Sequence, residues 1–207
     1  MKRWLTTGLT LAAIAAVCVT VVAATHHLTA GRIAENRLAF LESRLAPALG
    51  TVDYDTRPAA DAITLMPPHG LPGNEPATIY RVYRDRQPAA ALFAVSARNG
   101  YAGPIRVLVG IDAAGAITGV RILEHEETPG LGDGIEASRG DWVEQFPGRS
   151  LGDPPVESWS VRADGGRFDQ LTGATITPRA VVGAIRDTLV YFEANKDTVF
   201  SRPGSSE

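Results

Sequence analysis

A single cysteine, Cys18, is all that 207 residues carry, which excludes a disulfide framework and a thiolate metal cluster. Positive charge is not in excess either: 20 Lys and Arg stand against 23 Asp and Glu, for a net charge of -3. The basic footprint of a nucleic-acid binder is missing, so no nucleic-acid partner is expected. No G-x-S-x-G elbow supports a hydrolase. In "GLGDGIE", from Gly130, the third glycine of a dinucleotide fingerprint would fall at Ile135, and no clear βαβ unit surrounds it. That excludes a Rossmann site. His125 opens "HEE" but has no second histidine four residues on, so the zinc-protease helix motif is absent. A solvated acidic cluster at a strand end is expected there instead. There is no internal repeat.

What is present begins with residues 5–24, an uncharged apolar stretch of the roughly 20 residues that cross a bilayer as a helix. Lys2 and Arg3 precede it with Trp4 at the interface, which places the N-terminus in the cytoplasm and the chain after His26 outside, in a bacterium the periplasm. The competing reading is a cleaved signal peptide, for which Ala23-Ala24 offers a weak site. Ile33, Leu38, Leu41, Leu45 and Leu49 continue at helical spacing and favour an uncleaved anchor. The chain thus reads as a cytoplasmic start at residues 1–4, a transmembrane helix at 5–24, a linker helix region at 25–65, an exported domain at 66–200 and a disordered tail at 201–207.

Within the exported part, residues 78–84, 90–96, 105–112 and 116–123 are short, β-branched and partly alternating, with turns at Arg86-Gln87-Pro88 and over 112–115. They predict an antiparallel sheet. A helix is expected over 135–146, closed by Pro147-Gly148, and a short strand over 158–162. The last helix should begin with Thr177 as N-cap and Pro178 at its first position. Its apolar face would be Val181, Val182, Ile185, Leu189 and Phe192. Strands followed by helices point to an α+β fold. Trp142, Phe146 and Trp159 are expected in the core.

One stretch asks for chemistry: "DQLTGATITP", residues 169–178. Its plain reading is a helix entrance whose threonines bond their own backbone. Physics permits more, because Gly173 and Ala174 leave the backbone uncovered and Thr175 stands ahead of a helix start whose free N–H groups and dipole favour a phosphate.

Asp-x-x-Thr-Gly-Ala-Thr followed by Thr-Pro resembles the flavinylation motif of the FMN-binding domain found in the G subunit of Rnf (Rsx) electron transport complexes and in the C subunit of sodium-pumping NADH:quinone reductases. "EHEETPGLGDGIE", "DWVEQFPGRS" and "FDQLTGATITPRAVVGAI" occur in the family's order, and the compact length brings the chain nearer the Rnf protein. Thr172 stands where many relatives have serine, which keeps the hydroxyl. The resemblance implies FMN joined through a phosphoester to Thr175 by a flavin transferase that uses FAD. It implies a single-pass flavoprotein of the bacterial inner membrane, relaying electrons among the other subunits of an ion-translocating complex and not a stand-alone catalyst.

Gly173 and Ala174 should allow close approach of that phosphate, with Thr172, Thr177 and nearby backbone amides to bind its oxygens; by the same resemblance Glu127, Thr128, Pro129, Gly130 and Leu131 shape the flavin pocket with Gly132, the alternative being a tight strand-to-helix connection. Asp169 would serve recognition by the transferase. Leu171 and Ile176 are open between core and flavin, and Arg162 and Arg167 are assigned to the surface. Two rivals stand: the C subunit of the sodium pump, and a membrane-anchored binding or scaffold protein whose Thr-Gly-Ala-Thr is only a helix cap.

Overall fold

A computed structural model describes residues 2–201, which fall into two compact units that divide between residues 41 and 42. The side chains of residues 2–7, on which the orientation reading rests, lie outside the described set, as do residues 202–207 of the expected tail. Ser201 is described, and its carbonyl accepts a 2.7 Å hydrogen bond from Arg81 Nη1.

The first unit is helical, the greater part of α1 (Lys2–Leu49). Leu9, Leu11, Val19 and Val22 are all more than 60% exposed, and the Thr20 hydroxyl returns to the Ala16 carbonyl at 2.8 Å. An apolar surface with its polar groups bonded internally suits a hydrocarbon environment. By length and composition this helix is a candidate membrane span.

The second unit holds a five-stranded antiparallel meander: β1 (Ala62–Leu65), β2 (Ala77–Arg84), β3 (Gln87–Ala97), β4 (Ile105–Asp112) and β5 (Ile117–Glu124), neighbours in chain order. Four of these match the sequence reading closely. β1 lies inside the 25–65 segment read as a linker helix region, and α1 ends at Leu49, the last of the residues read at helical spacing. Gly50 stops it with a φ of 57°, a left-handed geometry that terminates helices. The first hairpin turns at Asp85 and Arg86, φ 49° and 66°, one residue earlier than expected. Pro88 therefore enters β3 opposite Tyr83, beside a register shift between Val82 and Tyr83, where a missing N–H is tolerated.

Both sheet faces are covered. Ile79, Phe93, Val109 and Val120 form one buried row across four strands. They share a core with Val181, Val182, Ile185, Leu189 and Phe192 of α2 (Ile176–Phe200), the apolar face read from sequence. Phe93 and Phe192 meet edge to face at 5.9 Å, a favoured aromatic geometry. On the other face Leu92 and Leu108 are buried, as are Leu45, Ala48 and Leu49 at the end of α1. Gly110 and Gly119 pair across β4 and β5. A Cβ on Gly110 would stand 2.2 Å from the Ala48 carbonyl oxygen, so the pair makes room for the helix end. Thr118 then donates to that same oxygen at 2.6 Å.

Between β5 and α2 the chain takes 3-10 turns in place of the expected helix over 135–146: Gly132–Ile135 and Trp142–Gln145. Gly134 and Gly140 leave too few residues between them to nucleate an α-helix. The aromatic reading holds, with Trp142, Phe146 and Trp159 buried. The strand expected over 158–162 reduces to a single parallel bridge, Val161 to Phe168, flanked by 3-10 turns at Val156–Ser158 and Arg162–Asp164.

Candidate functional site

The loop leaving β5 and the first turn of α2 enclose a cleft of about 480 Å3, lined by Tyr101, Glu127, Thr128, Leu131, Gly132, Gly173, Ala174, Thr175, Ile176 and Thr177. All of these except Tyr101 were singled out from the sequence, and the fold brings them together. Thr172, Pro129 and Gly130 are exposed and do not line the cleft.

Residues 171–174 make a turn closed by Ala174 N–H to the Leu171 carbonyl at 3.2 Å. Gly173 sits at its third position with φ 81°, the conformation that a type II turn asks of glycine. Thr172 at the corner is left in solvent, while the chain after Gly173 turns back into the cleft.

The helix start differs from the sequence reading. Thr175, not Thr177, is the N-cap: its carbonyl accepts the Arg179 N–H at 3.2 Å, and its side chain makes no capping bond. Thr177 is buried in the first turn and its hydroxyl donates to the Glu127 carboxyl Oε2. A hydroxyl drawn to a buried carboxyl 50 residues away cannot cap its own helix. Pro178 falls at the third helical position instead of the first. Its lack of an N–H costs nothing there, because the first-turn amides have no intrahelical acceptor anyway. The amides of Ile176 and Thr177 are the two such donors next to Thr175.

Glu127 is not part of a solvated cluster. It is 4% exposed, and Oε1 accepts the Ala102 N–H at 3.1 Å while Oε2 accepts from Thr177. A Cβ on Gly132 would lie 2.8 Å from Oε2, so only glycine lets the loop close over this carboxyl. Leu131 reaches the opposite loop, 3.2 Å from where a Gly173 Cβ would be.

Ile176, 45% exposed, lines the cleft, and Leu171 packs against the core. Sequence reasoning missed Tyr101, 69% exposed on the β3–β4 connection. An aromatic between glycines in "NGYAG" was the available signal. Arg162 and Arg167 line a separate, larger cleft of about 610 Å3 with Asp153 and Asp169. Arg162 is paired there with Asp169 at 2.9 Å, and the charges of that cleft largely answer one another.

The Thr175 cleft has the volume of a small-molecule site, typically about 300–1,000 Å3. Leu131, Ile176, Ala174 and Tyr101 offer apolar surface, and Glu127, Thr128, Thr175 and Thr177 bring polar side chains to its lining.

Comparison with known proteins agrees in extent and register. Residues 100–190, from the β3–β4 connection through most of α2, match the FMN-binding domain family, and residues 1–47 match the RnfG N-terminal region. The chain is 41% identical to the G subunit of the ion-translocating oxidoreductase complex of Pseudomonas aeruginosa over 202 residues, covering 97% of this chain and 94% of that protein. It is 38% identical to the corresponding protein of Shewanella loihica (100% and 98% covered) and 39% identical to that of Vibrio cholerae (97% and 95%). Nearly end-to-end similarity at this level settles membership: the chain belongs to the RnfG family, the G subunits of ion-translocating oxidoreductase complexes, and carries that family's FMN-binding domain.

Proposed function

We propose that this chain is a membrane-anchored flavoprotein that holds FMN in a phosphoester on Thr175. It passes electrons among the other subunits of a membrane complex whose electron flow is coupled to ion translocation, a reading supported by relatives named as G subunits of an ion-translocating oxidoreductase complex. The observation that carries the reading is the placement of Thr175: on the cleft wall, at the N-cap of α2, with a hydroxyl that caps nothing. A threonine in that position is spared from helix capping and stands beside two free amides and the positive end of the helix dipole.

In the attachment step the Thr175 oxygen displaces AMP from FAD. The Thr175 O–P bond forms as the pyrophosphate P–O bond to AMP breaks, and the hydroxyl proton is released. A flavin transferase performs this step. FMN held there supplies reversible electron uptake and release, with its ring electronics left to the surrounding pocket. The amides of Ile176 and Thr177 serve the phosphate, while Leu131, Ile176 and Tyr101 offer apolar surface within the cleft. Glu127, fixed by Ala102 and Thr177, gives the wall a polar group of set orientation.

The domain is periplasmic in this reading, with the N-terminus cytoplasmic, and the covalent link removes dependence on free FMN outside the cytoplasm. Residues 5–24 contain no charge, which makes the span an anchor and not an ion path. Coexpression with a flavin transferase followed by mass spectrometry tests the attachment. The expected result is an increment of FMN less water, retained on denaturation and absent in Thr175→Ala. An unmodified wild-type chain, with the transferase active on another substrate, would defeat the reading.

A further inference from the structure

His125 follows β5 directly, and its side chain is only 10% exposed. Its ring nitrogens face opposite demands. Nδ1 accepts the Glu127 backbone N–H at 3.0 Å, and Nε2 lies 2.7 Å from Glu136 Oε1. An Nδ1 that accepts carries no proton, so Nε2 carries it and donates to Glu136. Glu136 is itself oriented by the Ser138 hydroxyl, which donates to Oε2 at 2.8 Å. The bond from Nδ1 pins the backbone of the very residue whose carboxyl forms the buried wall of the Thr175 cleft.

We propose that His125, as the neutral Nε2–H tautomer, is a positioning residue that sets Glu127 in the wall of the Thr175 cleft. It does not line that cleft. It lies in a neighbouring groove with Arg44, Arg121, Glu124, Glu136 and Ser138. A simple ion pair with Glu136 would require the imidazolium, and its added proton on Nδ1 would point at the Glu127 N–H. Protonation therefore opposes the positioning bond even as it strengthens attraction to Glu136.

The bond has the i to i+2 form of an Asx turn, so asparagine can supply its Oδ1 where histidine supplies Nδ1. That makes His125→Asn a selective rescue. The first measurement is amide hydrogen exchange at Glu127 in the full-length, unflavinylated chain in detergent, corrected for intrinsic rates. Exchange in His125→Ala is expected to be about tenfold faster than in wild type, the loss of one amide hydrogen bond, and to return close to wild type in His125→Asn.

The second measurement is the rate of covalent loading by a flavin transferase with FAD, and it rests on the flavoprotein reading above. Loading should slow severalfold in His125→Ala and recover in His125→Asn. Unchanged Glu127 exchange in His125→Ala, or no recovery in His125→Asn, overturns the proposal. If wild type takes up no flavin, the flavoprotein reading fails while the exchange series still decides the role of His125.

Discussion

Thr177 and Glu127, 50 residues apart in sequence, are joined side chain to side chain, the Thr177 hydroxyl donating to Glu127 Oε2 with both residues buried. This bond fastens the loop after β5 to the first turn of α2, on either side of Thr175. The cleft and the proposed attachment point are thereby parts of one rigid junction.

Removing that bond should cost stability, and removing the neighbouring hydroxyl should not. Thr177→Val keeps shape but leaves a buried carboxyl oxygen without its donor, an expected loss of about 1–3 kcal/mol. A capping threonine replaced by alanine loses about 0.5–2 kcal/mol. The Thr175 hydroxyl makes no capping bond, so Thr175→Ala should stay within about 0.5 kcal/mol of wild type while abolishing covalent flavin. Urea denaturation of the unflavinylated proteins separates the two. Equal costs would contradict the cap assignment.

The start of the segment that carries Thr175 is clamped by a different element. Trp142 Nε1 donates to the Asp169 carbonyl at 2.7 Å, and the Asp169 N–H donates to Gln145 Oε1 at 2.7 Å. Trp142→Phe preserves an aromatic ring against Phe146, 5.2 Å away, but deletes the donor. It should lose about 0.5–1.5 kcal/mol and slow covalent loading severalfold, read by fluorescence of the denatured protein on a gel. Loading at the wild-type rate would show that the transferase does not need Asp169 held in place.

The sheet and the buried face of α2 are legible in the sequence because their signals are local: β-branched alternation in β4 and β5, and the spacing from Val181 to Phe192. The helix start reads two residues late because Thr177-Pro178 has the form of a cap followed by a first-turn proline. Its hydroxyl is claimed instead by Glu127, a partner no sequence window contains. β1 escapes detection for a related reason, since four residues, Ala62–Leu65, become a strand only by pairing with β2. Gly110 and Gly119 also gain meaning only in three dimensions, where the end of α1 lies over them. At the site, the motif around Thr175 and the loop from Glu127 to Leu131 are visible as sequence strings, whereas Tyr101 reaches the cleft through sheet topology.

Arg179, in the first turn of α2, should give a pH signature. Its Nε and Nη2 donate to the two oxygens of Asp164 at 2.6 and 2.7 Å. These hydrogen bonds hold the Asp164 carboxyl below the usual aspartate range. A carboxyl depressed in the folded state adds stability above its unfolded pKa, roughly 3.9, and loses it as pH falls through the folded value. The stability gap between wild type and Arg179→Gln should thus be constant above about pH 5 and close on acidification below it. A carboxyl titration by NMR should show the Asp164 midpoint rising in Arg179→Gln. An unmoved midpoint would remove the pair as its cause.

Two glycines of one loop should behave in opposite ways. A Cβ on Gly132 would meet Glu127 Oε2 at 2.8 Å, Glu127 Cβ at 2.9 Å and Thr177 Oγ1 at 3.1 Å. Gly132→Ala must therefore displace the Glu127–Thr177 bond, with an expected loss of about 1–3 kcal/mol and a severe drop in covalent loading. Gly130 has φ 79°, open space for 4 Å around the point where a Cβ would stand, and no place in the cleft lining. Gly130→Ala should cost only the left-handed backbone penalty of about 1–2 kcal/mol and should load at close to the wild-type rate. Both variants are compared by thermal unfolding before loading and by covalent fluorescence after it. Failure of Gly130→Ala to load despite intact folding would mean that the loop tip, and not the Glu127–Thr177 junction, governs access to Thr175.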